Sequence, residues 1–257
     1  MDLRLRGKVV LVTGSSRGIG LAIAGAFLRE GAKVAITGRD GAALKTAAAA
    51  LAKQHGRSRL LAMQGDLSHP DGIRAALRQT VQRFGGLDAV VANIGSGTGR
   101  TGWRWSVEEW ESSLNTNLVG SMAVASAALP HLLKRNGSLT FISSIAGREA
   151  LRAPISYGAS KAALQHAAKQ LSQAVGPGGV RVNVVAPGNI YFPGGAWDRK
   201  MTEEPKRWQS YLNTEVPLRR FGKADEVADA VVFLASARAA FITGACLVVD
   251  GGQTRAC

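Results

Sequence analysis

The sequence predicts an α/β protein in which a parallel sheet is covered by helices on both sides. Three observations lead to this fold class. Short β-branched segments alternate with helical apolar patterns along the chain. A glycine-rich turn joins the first strand to the first helix. The length of 257 residues and the hydrophobic content of 46% suffice for a sizeable core. We therefore expect a single domain over residues 1–257.

The spacing of the apolar residues sets the order of the elements. The segment KVVLV, residues 8–12, has the β-branched run of a strand that is buried on both faces. The segment AALKTAAAALAK is a strong helix former rather than a linker. We predict seven strands, at residues 8–12, 33–37, 59–63, 88–92, 138–142, 180–185 and 246–249. We predict helices at residues 18–30, 41–54, 71–84, 107–134, 155–174 and 224–235.

The first strand runs into the glycine-rich turn TGSSRGIG, residues 13–20. Gly14 would allow a sharp turn, Gly18 would let a pyrophosphate approach the main chain, and Gly20 would let the helix pack close to the strand. The helix N-terminus offers free N–H groups to phosphates. Many turns are glycine-rich, but the position between a strand and a helix favours a dinucleotide-binding site.

Tyr157 and Lys161 stand four residues apart, and Tyr157 comes thirteen residues after Ser144. Residues four apart share one face of a helix, so we expect the phenol and the ammonium to point the same way. A cation about 4 Å away could lower a phenol pKa by about 2 to 3 units, which suits a proton donor near neutral pH. The alternative is a surface helix that carries both side chains, and the glycine turn upstream favours catalysis.

These motifs together resemble the classical short-chain dehydrogenase/reductase family of nicotinamide-dependent oxidoreductases, with its doubly wound, seven-stranded Rossmann fold. The resemblance runs from Gly7 to Gly252. It departs from the family at Ala92-Asn93-Ile94-Gly95, where Asn-Asn-Ala-Gly is usual. The matching residues are Thr13, Gly14, Gly18, Ile19, Gly20, Asp66, Leu67, Asn93, Gly95, Asn117, Ser144, Tyr157, Lys161, Pro187 and Gly188.

The resemblance implies hydride transfer between a carbinol carbon and nicotinamide C4. It implies that Tyr157 exchanges a proton with the substrate oxygen and that Ser144 hydrogen-bonds the same oxygen. Lys161 would hold the nicotinamide ribose and lower the phenol pKa. Asn117 would position a water in a proton relay, although a polar residue that kinks a long helix is the structural alternative. The expected cofactor contacts are Gly14, Ser16, Arg17, Gly18, Ile19, Gly20, Arg39, Asp66, Leu67, Asn93, Gly95, Tyr157, Lys161, Pro187, Gly188 and Ile190.

The segment ITGRDG, after the second strand, bears on the choice of cofactor. NAD-preferring members of the family carry an acidic residue at the strand end, where this chain has Gly38 followed by Arg39. Arg39 and Arg17 could pair with a 2′-phosphate, which favours NADP(H). The alternative takes Asp40, twenty residues after Gly20, as the ribose ligand and implies NAD(H).

The five tryptophans fall in two short stretches. One follows the fourth strand, and the other lies after Pro187-Gly188, in the substrate lid that the resemblance implies at about residues 189–215. We expect them to wall an apolar substrate pocket; alternatively they pack the lid against the body or against another subunit. The lid also lacks the threonine that the family often carries shortly after Pro-Gly. The tryptophans are Trp103, Trp105, Trp110, Trp197 and Trp208.

The formal net charge of +14 predicts attraction of anions, such as NADPH, a CoA thioester or an acyl carrier protein. The basic residues are dispersed and form no nucleic-acid module, so we predict no specific nucleic-acid partner. The four histidines are scattered and predict no metal site.

The lack of a recognisable targeting signal and the small number of cysteines indicate a cytoplasmic protein without a membrane partner. No stretch approaches the roughly 18 apolar residues of a membrane span. The apolar run from Val9 to Val12 is too short for a signal peptide. The two cysteines, Cys246 and Cys257, form no disulfide framework.

Several functions fit this sequence. The leading one is an NADP-dependent oxidoreductase of carbonyls and secondary alcohols, with a 3-oxoacyl thioester as the substrate by resemblance to the family's acyl-carrier-protein reductases. Sugars, steroids and other secondary alcohols are alternatives, as is NAD-dependent alcohol or sugar oxidation. A catalytically inactive dinucleotide-sensing module would have little reason to keep the whole set of Asn117, Ser144, Tyr157 and Lys161. The hypothesis that the protein binds nucleic acid rests on the basic charge alone. The resemblance also implies a homotetramer or homodimer formed through helices 107–134 and 155–174 and the last strand.

Overall fold

The computed structural model describes residues 2–255, so Cys257 lies outside the described residues. Nine strands occur in this part of the chain. Seven form one parallel sheet, and two form a separate short pair. The strands are β1 Val9–Val12, β2 Lys33–Gly38, β3 Leu60–Gln64, β4 Ala89–Ala92, β5 Ser138–Ile142, β6 Arg181–Pro187, β7 Ile190–Tyr191, β8 Gly222–Lys223 and β9 Cys246–Val249.

The large sheet has the strand order β3-β2-β1-β4-β5-β6-β9. β1 pairs with β2 on one side and with β4 on the other, so the order of the chain reverses there. In such sheets ligands bind beyond the carboxyl ends of the strands at the point of reversal. The predicted doubly wound, seven-stranded Rossmann fold is therefore confirmed.

The helices lie close to their predicted bounds, with one interruption. The predicted helix 107–134 is divided by a π-helical turn at Asn115–Val119 into two α-helices. The α-helices are α1 Gly18–Arg29, α2 Gly41–His55, α3 Pro70–Phe84, α4 Val107–Leu114, α5 Gly120–Leu133, α6 Ile155–Val175, α7 Ala196–Glu203, α8 Pro205–Glu215 and α9 Ala224–Ala235.

Each face of the sheet is covered by three helices. On one face, α1, α2 and α9 bury side chains such as Phe27, Leu51 and Val231. On the other face, α3, α5 and α6 bury side chains such as Leu77 and Leu164. The alternation of strands and helices requires this arrangement, because each crossover returns the chain to a parallel neighbour.

The segment between β6 and α9 contains elements that the sequence did not predict. α7 and α8 lie there, and β7 pairs with β8 through Ile190 and Gly222. Of the residues in α7 and α8, only Leu212 is buried. Both helices are short and rich in polar and charged residues, so few apolar positions mark them in the sequence.

The continuous helical stretch Val107–Leu133 is long and apolar enough to meet the length and composition of a membrane span. This corrects the expectation that no stretch approaches that size. Its α5 part buries Val124, Ala128 and Leu132 in the core against the sheet. The helix thus packs as a core helix of the α/β fold.

Candidate active site

Asn93, at the end of β4, links two strand ends across the point of reversal. Its backbone N–H donates to Thr13 Oγ1 at 2.9 Å. Its side-chain amide donates to the carbonyl oxygens of Thr13 and Gly14, each at 3.0 Å. These bonds hold the glycine turn against the end of β4, so the predicted residues after β1 and β4 form one continuous edge.

The glycine turn has the backbone conformation and the free helix end that a phosphate group requires. Gly14 and Gly18 have φ angles of +60° and +56°, in the left-handed region that favours glycine. Arg17, the N-cap of α1, makes no side-chain capping bond, and the first turn of α1 carries no acidic residue. The free N–H groups and the positive end of the helix dipole therefore face the turn. This backbone conformation and this helix end suit the charge of a dinucleotide diphosphate.

Two arginines and two aspartates lie around the ends of β1 to β3. Asp40 caps α2, and its Oδ1 accepts from the backbone N–H groups of Ala42 and Ala43 at 2.9 and 3.1 Å. Hydrogen bonds from Ser68 and the nearby charges of Arg39 and His69 lower the pKa of Asp66. Arg17 and Arg39 are both exposed. Within residues 2–255 neither of these two arginines forms an ion pair.

Lys161 lies on α6 and is buried to 3% exposure. Its ammonium donates to the carbonyl oxygen of Ile142, the last residue of β5, at 2.9 Å. Burial lowers the pKa of Lys161 to about 8. Gly95 lies beside this ammonium and beside Asn117 Oδ1, since a Cβ on Gly95 would stand about 3 Å from both. The structure thus brings Gly95, Asn117 and Lys161 together, as the resemblance implied.

Tyr157 lies one turn before Lys161 on α6, with its phenol near the Ser144 side chain. Burial raises the pKa of Tyr157, while the interaction with Ser144 lowers it in part. The expected lowering by Lys161 is therefore wrong for the protein by itself. The Lys161 ammonium lies 5.9 Å from the centre of the Tyr157 ring, and desolvation of the phenol is the largest cause of its pKa shift.

Asn117 is fully buried inside the π-helical turn. Its Oδ1 accepts from the backbone N–H of Ser96 at 3.0 Å, and its Nδ2 donates to the carbonyl oxygens of Ser96 and Ser113. The residue therefore ties the loop after β4 to the helix at the point where the helix widens. The π-helical interruption of the long helix and the placement beside Lys161 therefore occur together at Asn117.

Gln165 is a site residue that the sequence analysis missed. Its Nε2 donates to Ser143 Oγ and to the carbonyl oxygen of Ser144, both at 3.0 Å. Ser143 Oγ in turn donates to the carbonyl oxygen of Lys161 at 3.1 Å. These bonds fasten the Ser144 segment to α6. Its spacing in the sequence could have revealed it, because Gln165 follows Lys161 by four residues, as Lys161 follows Tyr157, and so lies on the same helix face.

The remaining predicted residues follow β3 and β6 at the same edge of the sheet. Leu67 is buried beneath the loop after β3. The Gly188 N–H donates to the carbonyl oxygen of Val249 at 2.9 Å. Asn189 donates to Gln253 Oε1 at 2.8 Å and to the Tyr211 hydroxyl at 3.2 Å. The start of the lid is therefore tied to the C-terminal segment and to α8.

The two groups of tryptophans have different environments. Trp197 packs against Trp208, Tyr211 and Phe221, with ring centroids 5.2 to 5.9 Å apart, and the Lys200 ammonium lies 4.3 Å from the Trp197 ring. We call this set the lid cluster. Trp197, Trp208 and Tyr211 all belong to the lid and only Phe221 lies beyond it, so the cluster packs mainly within the lid, an arrangement that the sequence did not predict.

In the other group, Trp105 packs edge-on against Trp110. Trp103 is 76% exposed, and Arg104 lies over its ring. The loop after β4 therefore presents aromatic and basic groups to solvent. Among residues 2–255 no cluster of three or more His, Cys, Asp or Glu side chains could hold a metal ion.

Comparison with known proteins places the chain among short-chain oxidoreductases. Residues 14–254 match a family described as enoyl-(acyl carrier protein) reductase. A 3-oxoacyl-[acyl-carrier-protein] reductase of Chlamydia trachomatis is 39% identical over 251 residues, covering 96% of this chain and 97% of that protein. Glucose 1-dehydrogenase 2 of Bacillus subtilis is 33% identical over 253 residues, covering 97% and 96% respectively.

Solved structures give the same result. The structure of L-sorbose reductase from Gluconobacter frateurii in complex with NADPH and L-sorbose superposes with a TM-score of 0.92 at 32% identity, covering 100% of both chains. The chain belongs to the classical short-chain dehydrogenase/reductase family. It is accordingly an oxidoreductase that acts on CH–OH groups with NAD(P).

Proposed function

We propose that the protein is an NADP-dependent oxidoreductase that transfers a hydride between nicotinamide and a carbonyl or secondary alcohol, and that 3-oxoacyl thioesters are its substrate class. One observation carries the proposal: Ser144, Tyr157 and Lys161 converge beside the glycine turn at the carboxyl edge of the sheet. This convergence also argues against a catalytically inactive sensor.

The roles of the site residues follow from their contacts. Tyr157 donates the proton to the carbonyl oxygen in reduction, or removes it in oxidation. Ser144, whose side chain lies near the phenol, holds the same oxygen. A hydride is the chemistry that the nicotinamide supplies when bound. Lys161 is anchored at Ile142 and has N–H groups left for a ribose hydroxyl, and Asn117 supports the loop that carries Gly95.

The cofactor contacts are proposed along the strand ends. The diphosphate would lie on the glycine turn, formed by Gly14, Ser16, Arg17, Gly18, Ile19 and Gly20, at the N-terminus of α1. Asp66 and Leu67 would border the adenine. The nicotinamide half would lie among Asn93, Gly95, Tyr157, Lys161, Pro187, Gly188 and Ile190.

NADP(H) is favoured over NAD(H) by the environment of the second strand end. Oδ1 of Asp40 is engaged as the cap of α2, which leaves Oδ2 alone to accept from ribose hydroxyls. Arg39 and Arg17 are exposed beside this position and could pair with the two charges of a 2′-phosphate. The structures with TM-scores of 0.92 include two titled as NADPH complexes.

The substrate class rests on charge and on similarity. A net charge of +14 suits a substrate carried on an anionic CoA or acyl carrier protein. The Chlamydia relative is named for such a substrate, whereas the Gluconobacter structure is titled with a sugar. L-Sorbose is therefore the competing substrate that an experiment must include.

The test follows NADPH absorbance with acetoacetyl-CoA and with L-sorbose, and repeats both with NADH. We expect the highest kcat/KM for NADPH with the thioester, and no turnover with Tyr157→Phe. A higher kcat/KM with NADH would reject the cofactor proposal. Turnover of L-sorbose but not of acetoacetyl-CoA would reject thioesters as the substrate class. Failure to bind either dinucleotide would reject the proposed function.

We also propose that the protein is cytoplasmic and assembles as a homodimer or homotetramer through α5 and α6. An apolar groove between these helices is lined by Met122, Leu129, Leu133 and Leu171, and Leu133 is 42% exposed. A second copy would cover this surface. Light scattering after size-exclusion chromatography should give two or four times the chain mass of 26.9 kDa, and a single chain mass would contradict the assembly.

A further inference from the structure

Phe192, in the lid, packs against the glycine turn. Three carbons of its ring lie 2.7 to 3.0 Å from the point where a Cβ on Gly18 would stand. The ring therefore covers the open side of Gly18, which glycine keeps free by having no side chain. This is the surface across which a diphosphate would approach the main chain and the N-terminus of α1.

The turn that carries Phe192 is fixed from both sides. The Gly195 N–H donates to the Phe192 carbonyl oxygen at 3.0 Å, closing the turn. Asp198 accepts from the Gly194 N–H at 2.8 Å and from the Tyr191 hydroxyl. Because Tyr191 and Gly194 are held by one carboxylate, the turn that presents the Phe192 ring to Gly18 is restrained.

A phenylalanine at this position has two physical consequences. Its ring has no hydrogen-bond donor, so it cannot replace the water that a phosphate loses on binding. Its contact with Gly18 must also be given up if the diphosphate takes the same surface. Both effects oppose cofactor binding.

We propose that Phe192 is a determinant of cofactor affinity: its ring covers the diphosphate-binding surface at Gly18 and must move away when NADPH binds. This inference rests on the proposed function, since it assumes that a nicotinamide dinucleotide occupies the glycine turn. Movement of Phe192 would couple cofactor entry to the position of the lid, because residues 191–198 are tied together through Asp198.

The test measures NADPH binding to Phe192→Ala by stopped-flow fluorescence and calorimetry. We expect the Kd to fall at least fivefold, mainly through a faster association rate, because no ring has to be displaced. Phe192→Leu should show the same direction with a smaller change. The matched control is Phe241→Ala, which removes a fully exposed ring and should leave the Kd unchanged.

Adenosine 2′-monophosphate serves as a second probe, because it carries the 2′-phosphate but no diphosphate. Its Kd should be equal in the parent protein and in Phe192→Ala. An unchanged or weaker affinity of Phe192→Ala for NADPH would overturn the proposal. An equal gain in affinity for NADPH and for adenosine 2′-monophosphate would overturn it too. If the parent and all variants fail to bind NADPH and NADH, the proposed function fails, and the proposal for Phe192 fails with it.

Discussion

The ammonium of Lys161 lies 5.9 Å from the centre of the Tyr157 ring, one turn along α6. It donates at the same time to the carbonyl oxygen of Ile142. Both side chains bear the cost of burial, which lowers the pKa of Lys161 and raises that of Tyr157. Burial therefore favours the uncharged form of both side chains. The Tyr157 phenol stays protonated across the neutral pH range, as a proton donor requires.

Replacement of the phenol tests its role as the acid. Tyr157→Phe should lower kcat by at least about 100-fold, because general acid catalysis contributes about that much or more. The Kd for NADPH should change by less than about twofold, since the ring remains in place. Steady-state kinetics and fluorescence titration of NADPH check the two parts. Substantial remaining turnover would mean that another group supplies the proton.

Burial of Lys161 makes a prediction about stability and pH. Its pKa of about 8 lies below the ordinary lysine value of 10.5, so between these values the unfolded chain binds the extra proton. The free energy of unfolding should therefore rise with pH across this window, by about 3 kcal/mol for this group alone. Below pH 8 the penalty for the buried charge is present in full, and above 10.5 it is gone.

Urea unfolding of the parent and of Lys161→Met, without added cofactor, isolates this contribution. The difference in stability between the two proteins should shift in favour of the parent as the pH rises from 8 to 10.5. Parallel curves for the two proteins would contradict the lowered pKa.

Gln165 should act as a positioning residue for Ser144. Gln165→Ala removes the two hydrogen bonds to the Ser143–Ser144 segment, at a cost of about 1 to 3 kcal/mol if the freed groups stay buried. We expect kcat to fall about tenfold while the Kd for NADPH is unchanged. The control is Gln170→Ala on the same helix, which removes an exposed bond to His166. An equal effect of both variants would indicate a general loosening of α6.

Arg39 should discriminate between the two cofactors. Arg39→Ala should reduce kcat/KM for NADPH by about 10- to 100-fold, because charge-assisted hydrogen bonds contribute about 1.5 to 3 kcal/mol. The value for NADH should stay within about twofold. Arg57→Ala removes another exposed arginine and serves as the control. Equal losses with NADPH and NADH would show that Arg39 does not read the 2′-phosphate.

The lid cluster should hold the lid in its folded form. Trp197→Ala removes contacts to three aromatic rings, each contributing about 0.5 to 1.5 kcal/mol. Limited proteolysis should cut residues 196–215 severalfold faster in this variant, as mapped by mass spectrometry. Trp103→Ala, at an exposed tryptophan, should leave the rate unchanged. Equal cleavage in both variants would contradict a stabilising role of the cluster.

The parallel sheet and the helix that carries Tyr157 and Lys161 could be predicted because their signals are local. KVVLV and the glycine turn lie next to each other in the chain, and Tyr157 and Lys161 share a helix. α7 and α8 were missed because they are short and strongly polar, so few apolar residues mark them in the sequence. The sequence also did not predict the π-helical turn at Asn117. The Asn117 side chain is held there by hydrogen bonds to Ser96 in the loop after β4, a contact between distant segments.

The sequence by itself determined the fold class, the family and the residues at the carboxyl edge of the sheet, because strand alternation and short motifs need no knowledge of distant contacts. The tertiary structure decided how far Lys161 stands from Tyr157 and in which direction burial moves their pKa values. It also decided that Asp40 caps a helix and that Phe192 covers Gly18. Burial and contacts between segments far apart in the chain exist only once the chain has folded, which is why these properties follow from the structure.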